Sequence, residues 1–268
     1  MVKKRILYVS QEITPYLPEN DLSKTSRFLP QAMNESGIDV RLFMPRFGCI
    51  NERRHQLHEV IRLSGMNLIV NDIDQPLIIK VASIPQARMQ VYFIDNEEYF
   101  KRKFTTEDKK GDFYSDNDER ALFFCRGVIE SVKKLGWSPD VIHCNGWMAS
   151  FLPMYLKKFY HDDPIFEKTK IVVSLYNQSF EGTLSDGLTD KLKFDGYSEE
   201  ELAGFEKVDY KKLAETAINY SDAVIKGSTE LDADLIKLIE DSKLPTLEYA
   251  DGEYKEQYKP FYETLFEE

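Results

Sequence analysis

Residues 6–44 read ILYVSQEITPYLPENDLSKTSRFLPQAMNESGIDVRLFM, and the order of apolar and polar positions in them sets the fold. Ile6–Ser10 is a short apolar run rich in β-formers, the length of a buried strand. A polar loop follows from Gln11 to Asp21. Leu22, Phe28, Leu29, Ala32 and Met33 then recur at helical spacing, and Gly37 stands where a helix C-terminal cap would. Val40–Met44 is the next buried strand. Strand, helix and strand make a β-α-β unit, whose two strands are expected to be parallel neighbours.

Outward from that unit the pattern changes twice. Between 57 and 95, the runs Val60–Leu63, Met66–Val70, Leu77–Ile84 and Met89–Ile94 are split by Gly65, Asp72, Asp74, Pro76 and Pro85. They read as a β-hairpin insertion at one end of the sheet. Helical periodicity returns from Asp116 to Lys134, with Leu122, Phe123, Cys125, Val128, Ile129 and Val132 on the apolar side. After it come a strand at Val141–His143, a helix at Trp147–Phe159 and a strand at Ile171–Leu175. A polar stretch leads to a helix at Tyr210–Tyr220, a strand at Ala223–Lys226 and a helix at Leu231–Ile239. Strands alternating with helices predict an α/β domain of three layers, Rossmann-like, with a mainly parallel sheet covered on both faces.

The size agrees with one large domain: 268 residues, 42% apolar and 30% charged. The formal net charge of −11 disfavours nucleic acid and anionic membrane as partners, because both reward Lys and Arg. Cys49, Cys125 and Cys144 are too far apart for a Cys-x-x-Cys pair and odd in number, so no disulfide framework is expected. The N-terminal apolar run is too short for a signal-peptide core, and no segment has the roughly 18 apolar residues of a membrane span. A cytoplasmic protein is the expectation.

In a doubly wound sheet, ligands sit beyond the carboxyl ends of the strands. Those ends are 10–21, 44–48, 143–148, 176–182 and 227–230. Of the four histidines only His143 lies at one of them. No G-x-G-x-x-G follows the first strand, and there is no P-loop. There is no H-E-x-x-H, no Cys/His cluster and no G-x-S-x-G. Dinucleotide, P-loop, transition-metal and nucleophile-elbow chemistries therefore lack their residues, and no catalytic residue, metal or cofactor is assigned.

Several segments together resemble one family. They are ILYVSQEITP at Ile6–Pro15, LPQA at Leu29–Ala32, VYFIDNEEYF at Val91–Phe100 and DNDERALFFCRGVIE at Asp116–Glu130. DVIHCNGWMASFLPMYL at Asp140–Leu156 and YSDAV at Tyr220–Val224 complete the set. The chain is similar in these to the N-terminal domain of bacterial and plant glycogen and starch synthases, which have the GT-B glycosyltransferase fold. The resemblance implies half of a GT-B fold over residues 1–240, the acceptor-side domain of an ADP-glucose glucosyltransferase.

The departures fall on the chemistry. Counted without a gap from Pro15 to Pro30, the family's Lys-Thr-Gly-Gly-Leu motif puts its Lys on Pro18 and its Gly pair on Asn20 and Asp21; only Leu22 is kept. Such glycines let backbone N–H groups approach phosphate at a helix N-terminus. Here Glu19 and Asp21 bring carboxylates, expected to cap the helix themselves and to repel a diphosphate. The family's His-x-x-Asp-Trp-His becomes His143–Met148, HCNGWM: Trp147 is kept, Gly146 replaces the Asp and Met148 the last His. Thr-x-His-Asn becomes Ser174, Leu175, Tyr176, Asn177, and the Ser-Pro turn becomes Ser228-Thr229. The second domain, which in the family holds most of the sugar nucleotide, is expected to begin where this sequence stops.

The resemblance thus implies a glycogen-synthase-like protein of glucan metabolism without full activity alone. The alternatives are a non-catalytic glucan-binding domain and a regulatory or interaction subunit that partners a complete synthase or a second copy. Candidate substrate contacts are Glu12, Asn20, His143, Asn145, Trp147, Tyr176 and Asn177, with Trp147 equally readable as packing. The residues from 241 to 268 form an acidic, aromatic tail. Tyr254, Tyr258, Phe261, Tyr262 and Leu265 make a helical stripe, interrupted at Pro260, opposite Glu253, Glu256, Glu263, Glu267 and Glu268. It is expected to pack back on the domain, with docking on a partner as the alternative.

Overall fold

The computed structural model describes residues 3–267; Glu268 of the acidic tail face lies outside them. Strand β1 (Arg5–Ser10), helix α1 (Asp21–Glu35) and strand β2 (Asp39–Pro45) form the expected unit, with β1 and β2 parallel. Ile38 and Leu29 join the core beside β1, which is buried from Ile6 to Ser10. Next come β3 (His58–Glu59), β4 (Met66–Val70), β5 (Ile73–Ile84) and β6 (Met89–Asp95). β5 is antiparallel to β3, β4 and β6, so this stretch is hairpin-rich as its turn residues imply. Its last strand does more than close a hairpin, because β6 pairs in parallel with β2 and belongs to the main sheet.

A short α2 (Glu97–Phe100) and the long α3 (Asn117–Leu135) lead back across the sheet to β7 (Val141–Asn145), which lies parallel to β1. α3 stops at Gly136, whose φ of 58° is the left-handed conformation that ends helices. α4 (Leu152–Phe159), β8 (Lys170–Leu175), α5 (Leu188–Asp195), α6 (Tyr210–Asn219), β9 (Ala223–Lys226) and α7 (Ala233–Ser242) continue the alternation. β10 (Thr246–Leu247) adds a parallel edge beside β9. Sequence periodicity missed it because two residues after Pro245 carry no pattern. The sheet order is β10-β9-β8-β7-β1-β2-β6-β5-β3.

Handedness explains what the C-terminal segment does. Right-handed crossovers place α1 on one face, and α3, α4 and α6 on the other, because the chain moves outward from β1 in opposite directions. α1 alone cannot cover β7 and β8 on its own side. A π turn at Tyr254–Tyr258 and helix α8 (Lys259–Glu267) fill that gap, with Tyr258, Tyr262 and Leu265 buried. Pro260 has no N–H to donate, so the helix starts anew around it rather than running through.

Candidate functional site

The carboxyl ends of β1, β7 and β8 converge as the topology requires, and the family-like segments meet there. The side chains on them are turned to one another. Gln11, just past β1, accepts at Oε1 from the Met148 backbone N–H (3.1 Å), and its own N–H donates to the Asn145 carbonyl (2.9 Å). The first loop is thereby tied across to the Trp147 turn.

At the start of α1, the cap is Asn20, not Glu19 or Asp21. Asn20 Oδ1 accepts from the Ser23 N–H (2.8 Å), and the Asn20 N–H donates to Ser23 Oγ (2.9 Å), a reciprocal capping box. Asn20 has the extended backbone a cap needs, and its amide also donates to Glu12 Oε2 (2.6 Å). Both carboxylates expected to cap lack the right position in the turn: Asp21 is the first helical residue and Glu19 precedes the cap. The Asn20 and Ser23 N–H groups at this helix end are paired with each other's side chains, and Asp21 puts negative charge there. Burial raises the Glu12 carboxyl above the usual carboxylate range, against the pull of its amide partners.

The central strand end is sealed. His143 is fully buried, its Nδ1 paired with Tyr262 Oη (2.7 Å) and its Nε2 with Ser174 Oγ (2.6 Å). Burial pushes its pKa down to about 3, so the ring is neutral at physiological pH. Tyr176 donates from Oη to Asn145 Oδ1 (2.9 Å), and its ring lies so close to Gly227 that a Cβ there would come within 2.5 Å of it. Asn177 faces outward and ties down the loop before α7. Its amide donates to the Glu230 carbonyl (2.5 Å), and its Oδ1 accepts from the Asp232 N–H (3.0 Å).

Gly146 stands where the resemblance places the family's Asp. Its φ is 86° and ψ 157°, a region open in practice to glycine. A Cβ there would meet Gln11 Cβ at 2.7 Å and Leu22 Cδ1 at 2.8 Å. Where the family carries an Asp, this backbone leaves no room for any side chain. Trp147 is buried in an aromatic cluster, 5.6 Å from Phe113 and 5.1 Å from Phe180 between ring centroids. It is packing here.

Of the seven candidates, His143, Asn145 and Tyr176 thus share one buried polar layer, and Glu12 pairs with Asn20 at the α1 cap. Trp147 and Asn177 stand apart from both. Two clefts open nearby, about 390 Å³ beside Tyr114, Asp118 and Ser185, and about 560 Å³ beside Phe180, Tyr210 and Asp232; none of the seven lines either. Sequence reading did not name Tyr8, Ser10, Gln11, Ser174 or Tyr262 as site residues, although it placed Tyr262 in the apolar stripe of the tail. A signal for three of them was present: polar or tyrosyl residues at every second position of apolar strands. That Tyr262 meets His143 could be found only from the topology. Among the described residues no group of three His, Cys, Asp or Glu could hold a metal ion, and no helix is long and apolar enough to cross a membrane.

Known proteins agree with this architecture. The family model for the starch synthase catalytic domain matches residues 5–241. The chain is 38% identical over 189 residues to glycogen synthase of Chlorobium luteolum, covering 70% of this chain and 39% of that protein. It is 34% identical over 236 residues to glycogen synthase of Chlorobium phaeobacteroides, covering 87% and 47%. The chain therefore spans less than half the length of these relatives. Among solved structures, the catalytic domain of starch synthase IV from Arabidopsis thaliana, bound to ADP and acarbose, superposes with a TM-score of 0.67. That match covers 84% of this chain and 45% of that one at 18% identity, and shows a shared GT-B fold. From its first strand to the end of α7, then, this chain belongs to the starch synthase catalytic domain family.

Proposed function

We propose that the chain is a glycogen-synthase-like domain of glucan metabolism, built on the acceptor-side half of the family's fold, which does not itself transfer glucose. One observation carries this reading. The position equivalent to the family's Asp is Gly146, in a backbone conformation and a space that exclude any side chain.

Two further features support it. Glucosyl transfer from a sugar nucleotide needs groups that neutralise the leaving diphosphate. The end of α1 offers Asp21 and a paired amide in that place, with Pro18 where the family has Lys. A reacting oxygen also needs a group within hydrogen-bond reach that can give or take a proton. His143 has both ring nitrogens engaged within the protein, and Met148 offers only a buried thioether.

Calorimetric titration of one preparation with ADP-glucose, ADP and maltoheptaose tests the reading. It expects no heat of binding from ADP-glucose or ADP. Saturable binding of ADP-glucose, lost on adding Asn20→Asp, would overturn it by showing that the α1 end still receives the nucleotide.

A further inference from the structure

Asp118 is fully buried in the first turn of α3. A buried carboxylate is tolerated when it is paired and its oxygens have donors. Only one of the two oxygens meets that condition. Oδ2 takes the Lys191 ammonium at 2.7 Å. Oδ1 is buried and accepts no hydrogen bond from any described residue. The helix dipole favours an acid in this turn, but it gives Oδ1 no donor.

The charges around Asp118 do not balance either. Lys191, itself buried, also lies 2.8 Å from Glu119 Oε1, so one ammonium serves two carboxylates. Glu119 has two further donors, the Asn71 amide at 3.2 Å and the Tyr99 hydroxyl at 2.9 Å. The nearby guanidinium groups are committed elsewhere. Arg102 holds Asp116 with both its Nη atoms, and Arg120 donates to the Tyr99 carbonyl and to Asn117 Oδ1. The cluster is one cation short, and the shortfall falls on Asp118.

That shortfall adjoins the cleft of about 390 Å³, of whose wall Asp118 is a part. Asp186 adds a second acid at an exposed position of the same wall, and no lysine or arginine among the described residues lines it. Phe113, Tyr114 and Leu184 supply apolar surface. The Phe113 ring is held in place by stacking on Phe180, 4.8 Å away between centroids. Carboxylate and aromatic rings together attract an ammonium group, the first through a charge-assisted hydrogen bond and the second through the ring quadrupole.

We propose that this cleft binds a small primary amine, whose ammonium group donates to Asp118 Oδ1 and whose apolar body lies against Phe113 and Tyr114. The ligand supplies the missing cation and covers the aromatic wall in one step. None of the seven candidate contacts lines the cleft, so the site stands or falls independently of glucosyl transfer.

Calorimetric titration of the full chain with phenethylamine, and in parallel with phenethyl alcohol, tests the site; the two share an apolar body and differ in the charge. The amine should bind saturably at one site and at least about tenfold more tightly than the alcohol. Asp118→Asn keeps the shape of the side chain and removes the charge, and should erase the amine's advantage. Ser115→Trp fills the cleft from an exposed position in its wall and leaves Asp118 and Lys191 as they are; it should block the amine. An amine that does not bind the unaltered chain, or binds it no better than the alcohol, would overturn the proposal. So would amine binding that survives Ser115→Trp, a result that decides the matter even if Asp118→Asn fails to fold.

Discussion

Replacing Gly146 by Asp restores the residue that the family carries there, and the structure gives the cost. The backbone at φ 86° and ψ 157° is one that side-chain-bearing residues avoid, a penalty of roughly 1–3 kcal/mol. The new Cβ would also lie 2.7 Å from Gln11 Cβ and 2.8 Å from Leu22 Cδ1, contacts too short to persist. Gln11 cannot swing aside without releasing the Met148 N–H, and Leu22 is fully buried. Overpacking of this kind adds about 1–3 kcal/mol. The sum, about 2–6 kcal/mol, corresponds to a fall in Tm on the order of 10 °C for a domain of this size. Differential scanning calorimetry of the Gly146→Asp and Gly146→Ala proteins beside the parent measures it. The Ala variant should show most of the loss, because backbone and Cβ, not the carboxylate, cause it. A Gly146→Asp protein as stable as the parent would instead mean that the turn adapts to the family's residue at no cost.

Other outcomes follow from the same geometry. Tyr262→Phe leaves a nitrogen of buried His143 without its partner and should cost about 1–3 kcal/mol in urea unfolding. Asn20→Ala removes both the helix cap and the Glu12 partner, and should cost about 0.5–2 kcal/mol, with Asn20→Asp recovering the cap's share. His143 has a folded pKa near 3, below its unfolded value, so the unfolded chain takes up the proton first. Its contribution is complete above about pH 6.5 and shrinks by up to about 1.4 kcal/mol per pH unit as pH falls toward 3. Denaturation at a series of pH values should therefore show a shallower acid slope in His143→Gln than in the parent.

Much of the fold was legible because strands and helices announce themselves through periodicity. The β1-α1-β2 unit, α3 and the hairpin-rich stretch all carry strong patterns or turn residues. β10 and the parallel pairing of β6 were not legible, since both depend on which strand lies alongside. The site was legible only as a set of places. Residues at the strand ends could be named from position, but whether His143 faces a ligand or a neighbour depends on Tyr262, more than a hundred residues away in sequence. The α1 cap shows the same limit at short range. Asn, Asp and Glu stand side by side at 19–21, and only the extended backbone at Asn20 decides which of them turns back on the helix. The loss at Gly146 was visible as a missing carboxylate; that the space is closed as well required Gln11 and Leu22 in place.

With Gly146 at the position of the family's Asp, we propose that this starch-synthase-type domain does not carry out the transfer itself. Release of ADP from ADP-glucose in the presence of glycogen measures that step directly. Purified chain should release ADP no faster than a blank without protein, at every glycogen concentration and across neutral pH. Release that rises in proportion to the protein added, and that requires glycogen, would contradict the claim and restore transfer chemistry to the crevice at His143–Met148.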